Sequence, residues 1–285
     1  MLLTAGGFHG NKSFRKAEKS MRVFISADIE GVAGVTAWSE TRSGGKGYEW
    51  ACRQMTAEVR AACEAAVSAG CEVVVKDGHE DAMNIDPEAL PRGVRLIRGW
   101  QTSPAAMMGG LDESFSAVLY IGYHAPEGTA GSPLAHTIEH SLFNWIRVNG
   151  VLASEFSMNA LWAAGYGVPS VFLSGDGEIC RSAQSFYPGI VTVAVKECVG
   201  DSVCSIHPLD AQERIYDGVR AALNRKAPVM PLESSYEMEI SFKEHQKARA
   251  AGWYPGARQL DSNTVSYTAA TPREMILARM FMTGV

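Results

Sequence analysis

The sequence predicts an α/β protein built on a mixed sheet. Three observations carry that expectation. Short β-branched and aromatic runs recur along the chain, stretches of helical period stand between them, and an Asn149-Gly150 pair separates two of the runs. Strands alternating with helices argue for a layered sheet covered by helices, and the Asn-Gly hairpin makes that sheet mixed rather than wholly parallel.

Taken in order, residues 22–26 (RVFIS) form a buried strand that ends at Asp28-Ile29-Glu30-Gly31. Residues 48–69 are helical: Met55, Val59, Cys63 and Val67 recur at spacing four, and Gly70 sits where a helix-terminating glycine belongs. Residues 72–76 (EVVVK) make a strand ending at Asp77-Gly78-His79, and 117–122 (AVLYIG) another ending at Tyr123-His124. Residues 144–148 and 151–155 flank the Asn-Gly turn, 157–165 are helical, and 170–173 form a buried strand running into Gly175-Asp176. A strand over 190–195 and a helix over 209–224, carrying Ile215, Val219 and Leu223, follow. The last part holds a strand at 237–242, a helix at 243–251 stopped by Gly252, and a strand at 264–268. Thr271-Pro272-Arg273-Glu274 is a capping box with proline at the first helical position, opening a final helix. A smaller C-terminal subdomain from about residue 205 fits this succession.

Composition narrows the class. The 285 residues are 46% hydrophobic and 20% charged, with a mean hydropathy of -0.05, as in an ordinary globular protein. A net charge of -5 argues against a nucleic-acid partner, which draws on clustered Lys and Arg. No run reaches the roughly 18 apolar residues that would cross a membrane. Residues 1–20 carry Lys12, Arg15, Lys16 and Lys19 behind only a Met-Leu-Leu apolar stretch, the reverse of a secretory signal. They are expected to be an extension outside a core of residues 21–285. The six cysteines are dilute and form no C-x-x-C pair, so reduced thiols and a cytoplasmic setting are expected.

The chemistry lies at strand ends. Asp28 and Glu30 are two apart in an extended segment, so both carboxylates can face one point. Asp77 and His79 stand in the same relation after the next strand, and His124 closes a third. Ligand crevices in open α/β sheets lie beyond the carboxyl ends of strands. Three strands therefore deliver metal-capable groups to one edge, in a carboxylate and imidazole mixture suited to zinc or manganese. Each residue alone also fits a turn former or helix cap, so the residues leave a metal hydrolase and a structural set both open. His136-Thr137-Ile138-Glu139-His140 fits H-x-x-E-H, a helical single-zinc pattern, although Pro133 before it and the hairpin after it argue against a helix. Ser26, Ser154 and Ser174 lack the elbow and partners of a serine hydrolase.

As an ordered set, Ser26-Ala27-Asp28-Ile29-Glu30-Gly31, Asp77-Gly78-His79, Gly122-Tyr123-His124-Ala125, Ala135-His136-Thr137, Ser154-Glu155 with Asn159-Ala160, and Ser174-Gly175-Asp176 resemble the zinc D-aminopeptidases of the dipeptide-transport operon, peptidase family M55. The resemblance runs from Met21 to about Val195 and more loosely beyond. It implies an α/β/α sandwich and two zinc ions per subunit, held at positions matching Asp28, Glu30, His79, His124 and Glu155 with the aspartate bridging. It further implies a non-ligand catalytic role for His136, a short peptide substrate cleaved at its amino end, and a ring of ten subunits. His140 has no family counterpart, and the first twenty residues depart from the family's start. Two alternatives stay open: a two-metal hydrolase of another amide or a phosphoester, and a non-catalytic metal- or peptide-binding protein of a transport operon.

Overall fold

A computed structural model describes residues 20–285. The extension expected over residues 1–20 therefore lies outside the described residues, apart from Ser20. Seven strands form the main sheet: β1 (Arg22–Ala27), β2 (Glu72–Asp77), β3 (Arg95–Ile97), β4 (Ala117–Tyr123), β7 (Ser170–Asp176), β8 (Val191–Val199) and β9 (Ser202–Ser205). Their order is β3-β2-β1-β4-β7-β8-β9. All pairings are parallel except β8 with β9. A second, antiparallel sheet has the order β11-β12-β10-β5-β6. It is built from β5 (Phe143–Val148), β6 (Val151–Leu152), β10 (Tyr236–Phe242), β11 (Arg258–Gln259) and β12 (Thr264–Ala269). The helices are α1 (Tyr48–Ser68), α2 (Glu155–Gly165), α3 (Gly177–Phe186), α4 (Pro208–Leu223), α5 (His245–Ala251) and α6 (Pro272–Thr283).

The main sheet is mixed, as expected, but the Asn149-Gly150 hairpin is not the cause. That hairpin pairs with β10 in the second sheet, and the antiparallel member of the main sheet is the edge strand β9. Alternation along β1 explains the layering. Val23, Ile25 and Ala27 pack into one core with α1 and α4, through Val59, Ala62, Ile215 and Val219. Phe24 points the other way, into a core shared with α2, α3 and the second sheet through Phe156, Ile179 and Ile240. A parallel sheet buried on both faces needs apolar side chains on both, which the runs VFI, VVV and AVLYI supply.

Strand order reverses beside β1: β2 and β3 lie to one side, β4 and β7 to the other. The β1/β4 boundary is thus a topological switch point, where the loops leaving the two strands part and open a crevice. The fit there is close. Asp28 N–H donates to Ile121 O at 2.8 Å and Gly31 N–H to Gly122 O at 2.8 Å. A Cβ on Gly31 would stand 1.8 Å from Tyr123 O, and one on Gly122, at φ +75°, would stand 2.2 Å from Asp28 O. Only glycine at both positions lets the turn after β1 lie against β4.

Three local departures from the sequence expectation matter for function. Helix α2 begins at Glu155, so this residue opens a helix instead of closing the hairpin strand; Ser154 caps it, its Oγ accepting from Ser157 N–H at 3.0 Å. Residues 136–140 are irregular, with Ile138 at φ +69°, which excludes the helical H-x-x-E-H reading. Asp176 is the N-cap of α3, a helix that follows the Gly175-Asp176-Gly177 turn. All six cysteines are free thiols, and no described helix is long and apolar enough to cross a membrane.

Candidate metal centre

The carboxyl ends of β1, β2 and β4 bring Asp28, Glu30, His79 and His124 to the switch-point crevice, and the first turn of α2 adds Glu155. His136 arrives on the loop after β4. Asp28, Glu30, His124, His136 and Glu155 are all buried.

Each imidazole is held by a main-chain oxygen at one nitrogen and faces carboxylates with the other. His79 Nε2 lies 2.5 Å from Thr41 O, His124 Nδ1 lies 3.0 Å from Ala125 O, and His136 Nδ1 lies 2.9 Å from Leu134 O. A carbonyl at that distance takes the N–H, which fixes the tautomer and leaves the other nitrogen's lone pair for an electrophile.

The facing atoms fall into two groups that share Asp28. His79 Nδ1 is 3.3 Å from Asp28 Oδ1 and 3.2 Å from Glu30 Oε2. His124 Nε2 is 3.4 Å from Asp28 Oδ2 and 3.4 Å from Glu155 Oε2. Charged N–H···O bonds are normally about 2.7–2.9 Å long. Separations of this size instead match the edge of a tetrahedron with metal–ligand bonds of about 2.0–2.1 Å, which is about 3.3–3.4 Å. Asp28 Oδ2, Glu30 Oε2 and His124 Nε2 are buried and form no hydrogen bond, a costly state for polar atoms unless a cation satisfies them. The donor set, three carboxylates and two imidazoles with three orphaned atoms, fits a pair of divalent ions.

The site is strongly anionic, so with no ion bound its carboxylates favour protons on the same imidazole nitrogens that an ion would take. Burial disfavours an imidazolium, yet Glu30 and Asp28 pull His79 well above its ordinary pKa, and Glu155 and Asp28 do the same to His124. Burial would raise the Asp28 carboxyl, but His124 and His79 hold it well below the usual range. Glu155 is lowered against burial by His124 and His136. Clustered carboxylates of this kind call for compensating positive charge.

His136 stacks on His124 with ring centroids 4.1 Å apart and planes 4° from parallel, and meets Trp38 edge-on at 5.2 Å. Its Nε2 is 3.5 Å from Glu155 Oε1, an oxygen that already accepts from Ile138 N–H at 2.7 Å. The Nε2 therefore borders the second group of ligand atoms. Asp77 forms no hydrogen bond with an imidazole, although its Oδ1 accepts from the main-chain N–H of His79 at 3.4 Å. Its oxygens accept from Asn84 and Ile85 and shape the loop after β2. His140 lines the cavity above these residues without joining the cluster, bonded to Glu139 and packed on Trp38. Ser26 binds Met107 O and Tyr123 Oη, and Ser174 accepts from Gly122 N–H, so neither is a nucleophile.

The cluster floors a cavity of about 570 Å³, within the range of about 300–1,000 Å³ usual for small-ligand sites. Sequence reasoning missed Trp38 and Arg279 among its walls. Trp38 lies in an irregular stretch with no periodic signal. Arg279 did carry one: it falls three and four residues from Ile276 and Met275, on the buried face of α6.

Comparison with known proteins agrees with the geometry. The family model of the M55 peptidases, described as D-aminopeptidase, matches residues 21–281. A D-aminopeptidase of Bacillus subtilis (strain 168) is 30% identical over 271 residues, covering 92% of this chain and 97% of that relative. The solved structure of the Zn-dependent D-aminopeptidase DppA from Bacillus subtilis, described as a self-compartmentalizing protease, superposes with a TM-score of 0.86. The identity is 28%, over 93% of this chain and 97% of that one. With the family model spanning nearly the whole described chain, the protein belongs to the M55 peptidases, the D-aminopeptidase family.

Proposed function

We propose that this chain is a zinc aminopeptidase that hydrolyses the amino-terminal amide bond of short peptides, D-amino acid peptides included, with two zinc ions per subunit. Asp28, Glu30 and His79 would hold one ion and Asp28, His124 and Glu155 the other, Asp28 bridging. The observation that carries the reading is the set of three buried, unbonded ligand atoms facing one another at the switch point. When bound, such ions supply Lewis acidity, bringing water's pKa towards about 7 and polarising the scissile carbonyl.

The remaining work falls to the chain. His136, with Nδ1 committed to Leu134 O, has Nε2 free to move a proton from the attacking water to the leaving amine and to donate to the tetrahedral oxyanion. Trp38, edge-on to His136, keeps that ring in place and excludes water. Residues 21–285 act as one peptidase domain; the smaller part expected from about residue 205 overlaps the second sheet, which also takes β5 and β6 from earlier in the chain. The description of the structural relative as a self-compartmentalizing protease supports an assembly of several subunits; the number ten rests on the family resemblance alone. Supporting a cytoplasmic setting are the six free thiols.

Elemental analysis combined with turnover on paired D- and L-dipeptides and on generic phosphoesters tests the reading. Two zinc ions and peptide cleavage are expected. Full turnover in metal-stripped protein, or phosphoester cleavage without peptide cleavage, would overturn it. Light scattering reports the ring directly.

A further inference from the structure

The cavity above the metal centre holds a cation that the hydrolytic chemistry does not use. Arg279, on the inner face of α6, is 3% exposed and lines the cavity with Glu155 and His136. Among the described residues no Asp or Glu lies within ion-pair distance of it. Its guanidinium makes one hydrogen bond, from Nη1 to an oxygen of Val285, the last residue of the sequence, while Nε is buried without a partner.

This is costly at Nε, which has given up water and gained no bond. Burial pushes its pKa down to about 10, against the pull of the Glu155 charge, so it remains a cation at neutral pH. The acceptor it does have comes from the cavity side, since Gly284 and Val285 themselves line the same space. That oxygen is also within 3.2 Å of Thr283 Oγ1, so Val285 keeps a donor when the guanidinium turns to another acceptor. A planar, multi-donor cation opening on the cavity that contains a peptide-hydrolysing centre is matched chemically by a carboxylate.

We propose that Arg279 is a specificity-determining residue, binding the free carboxylate of a short peptide whose amino end lies at the Asp28–Glu155 cluster. This rests on the function proposed above and narrows its substrate class: peptides short enough to reach both groups, with the far end ionised. Amides, esters and chains extended past the cavity leave Arg279 without its anion.

The first test needs no variant. The metal-loaded full chain is assayed with D,D- and L,L-alanyl-alanine, each as the free acid and as the carboxyl-terminal amide. Whichever configuration is cleaved, kcat/KM for the acid should exceed that for the amide by about ten-fold or more, mainly through KM. Calorimetry with an analogue carrying CH2–NH in place of the peptide bond should show the same acid-to-amide gap in affinity. In Arg279→Gln the acid-to-amide ratio should fall towards one, and in Arg279→Lys it should stay clearly above one. Equal rates and affinities for acid and amide in the unaltered protein would overturn the inference and leave the aminopeptidase standing. No hydrolysis of any peptide would remove the proposed function, and this inference with it.

Discussion

Lys196 donates from a fully buried Nζ to the main-chain oxygen of Glu30, and to that of Val35 at 2.6 Å. Glu58 answers from α1, its Oε1 accepting from Ala33 N–H at 2.9 Å. The segment from Glu30 to Val35, which follows Asp28, is thus gripped at the carbonyls of Glu30 and Val35 and at the N–H of Ala33. Lys196→Met would leave two buried oxygens without a donor and Glu58 without a nearby cation. A loss of about 2–5 kcal/mol is expected, read as a lower urea midpoint at unchanged slope. Ion affinity at Glu30 should fall as well, measured by competition with a chelator. A variant with unaltered midpoint and affinity would show that the turn holds itself.

Asp28 belongs to both groups of ligand atoms, through Oδ1 to one and Oδ2 to the other. Asp28→Ala should therefore lose both ions on dialysis, whereas Glu155→Ala should retain the ion held by Asp28, Glu30 and His79. Elemental analysis distinguishes the two. Retention of two ions by Asp28→Ala would exclude the bridging role.

How far this centre was legible in sequence follows from how each ligand is delivered. Asp28, Glu30, His79 and His124 directly follow strands with clear apolar runs, so the strand-end rule brings them to one edge. The i, i+2 rule was a poorer guide, because β1 and β2 end at Ala27 and Asp77, and Asp77 serves its own loop instead of the site. Glu155 was not legible that way. It opens a helix after a hairpin of another sheet, and its approach to His124 depends on the packing of α2 against β4. The second sheet was hidden for a similar reason: β5 and β10 are about ninety residues apart, and local pattern says nothing of such pairing. Conversely, His136 and His140 share one short motif and both pack on Trp38, yet with Ile138 at φ +69° the segment is no helix, and only His136 reaches Glu155.

His136 borders the second ion group closely enough that ligation and proton transfer make different predictions. His136→Ala should retain two ions and lose roughly 10²–10⁴-fold in kcat, the usual worth of a general acid–base. An ion count of one in that variant would make His136 a ligand alongside His124 and Glu155, whose ligand atoms lie within 4.8 Å of it and one another.

Glu58 gives the protein a pH-dependent weakness away from the metal ligands. Burial pushes its carboxyl up to about 7 from an ordinary 4.5, against the pull of the Ala33 N–H and of Lys196, and Oε2 has no hydrogen-bond partner. A carboxyl raised in the folded state binds its proton more tightly there than in the unfolded chain. Its contribution to stability is thus complete below about pH 4.5 and is lost as pH rises through about 7. The full span corresponds to about 3 kcal/mol. Glu58→Gln keeps an acceptor for Ala33 N–H and removes the titration. Relative to the unaltered protein it should be more stable at pH 8, with the advantage shrinking across the window from 7 to 4.5. Urea midpoints taken at half-unit intervals measure this. A difference between the two proteins that stays constant from pH 4.5 to 8 would mean that Glu58 does not titrate in that window.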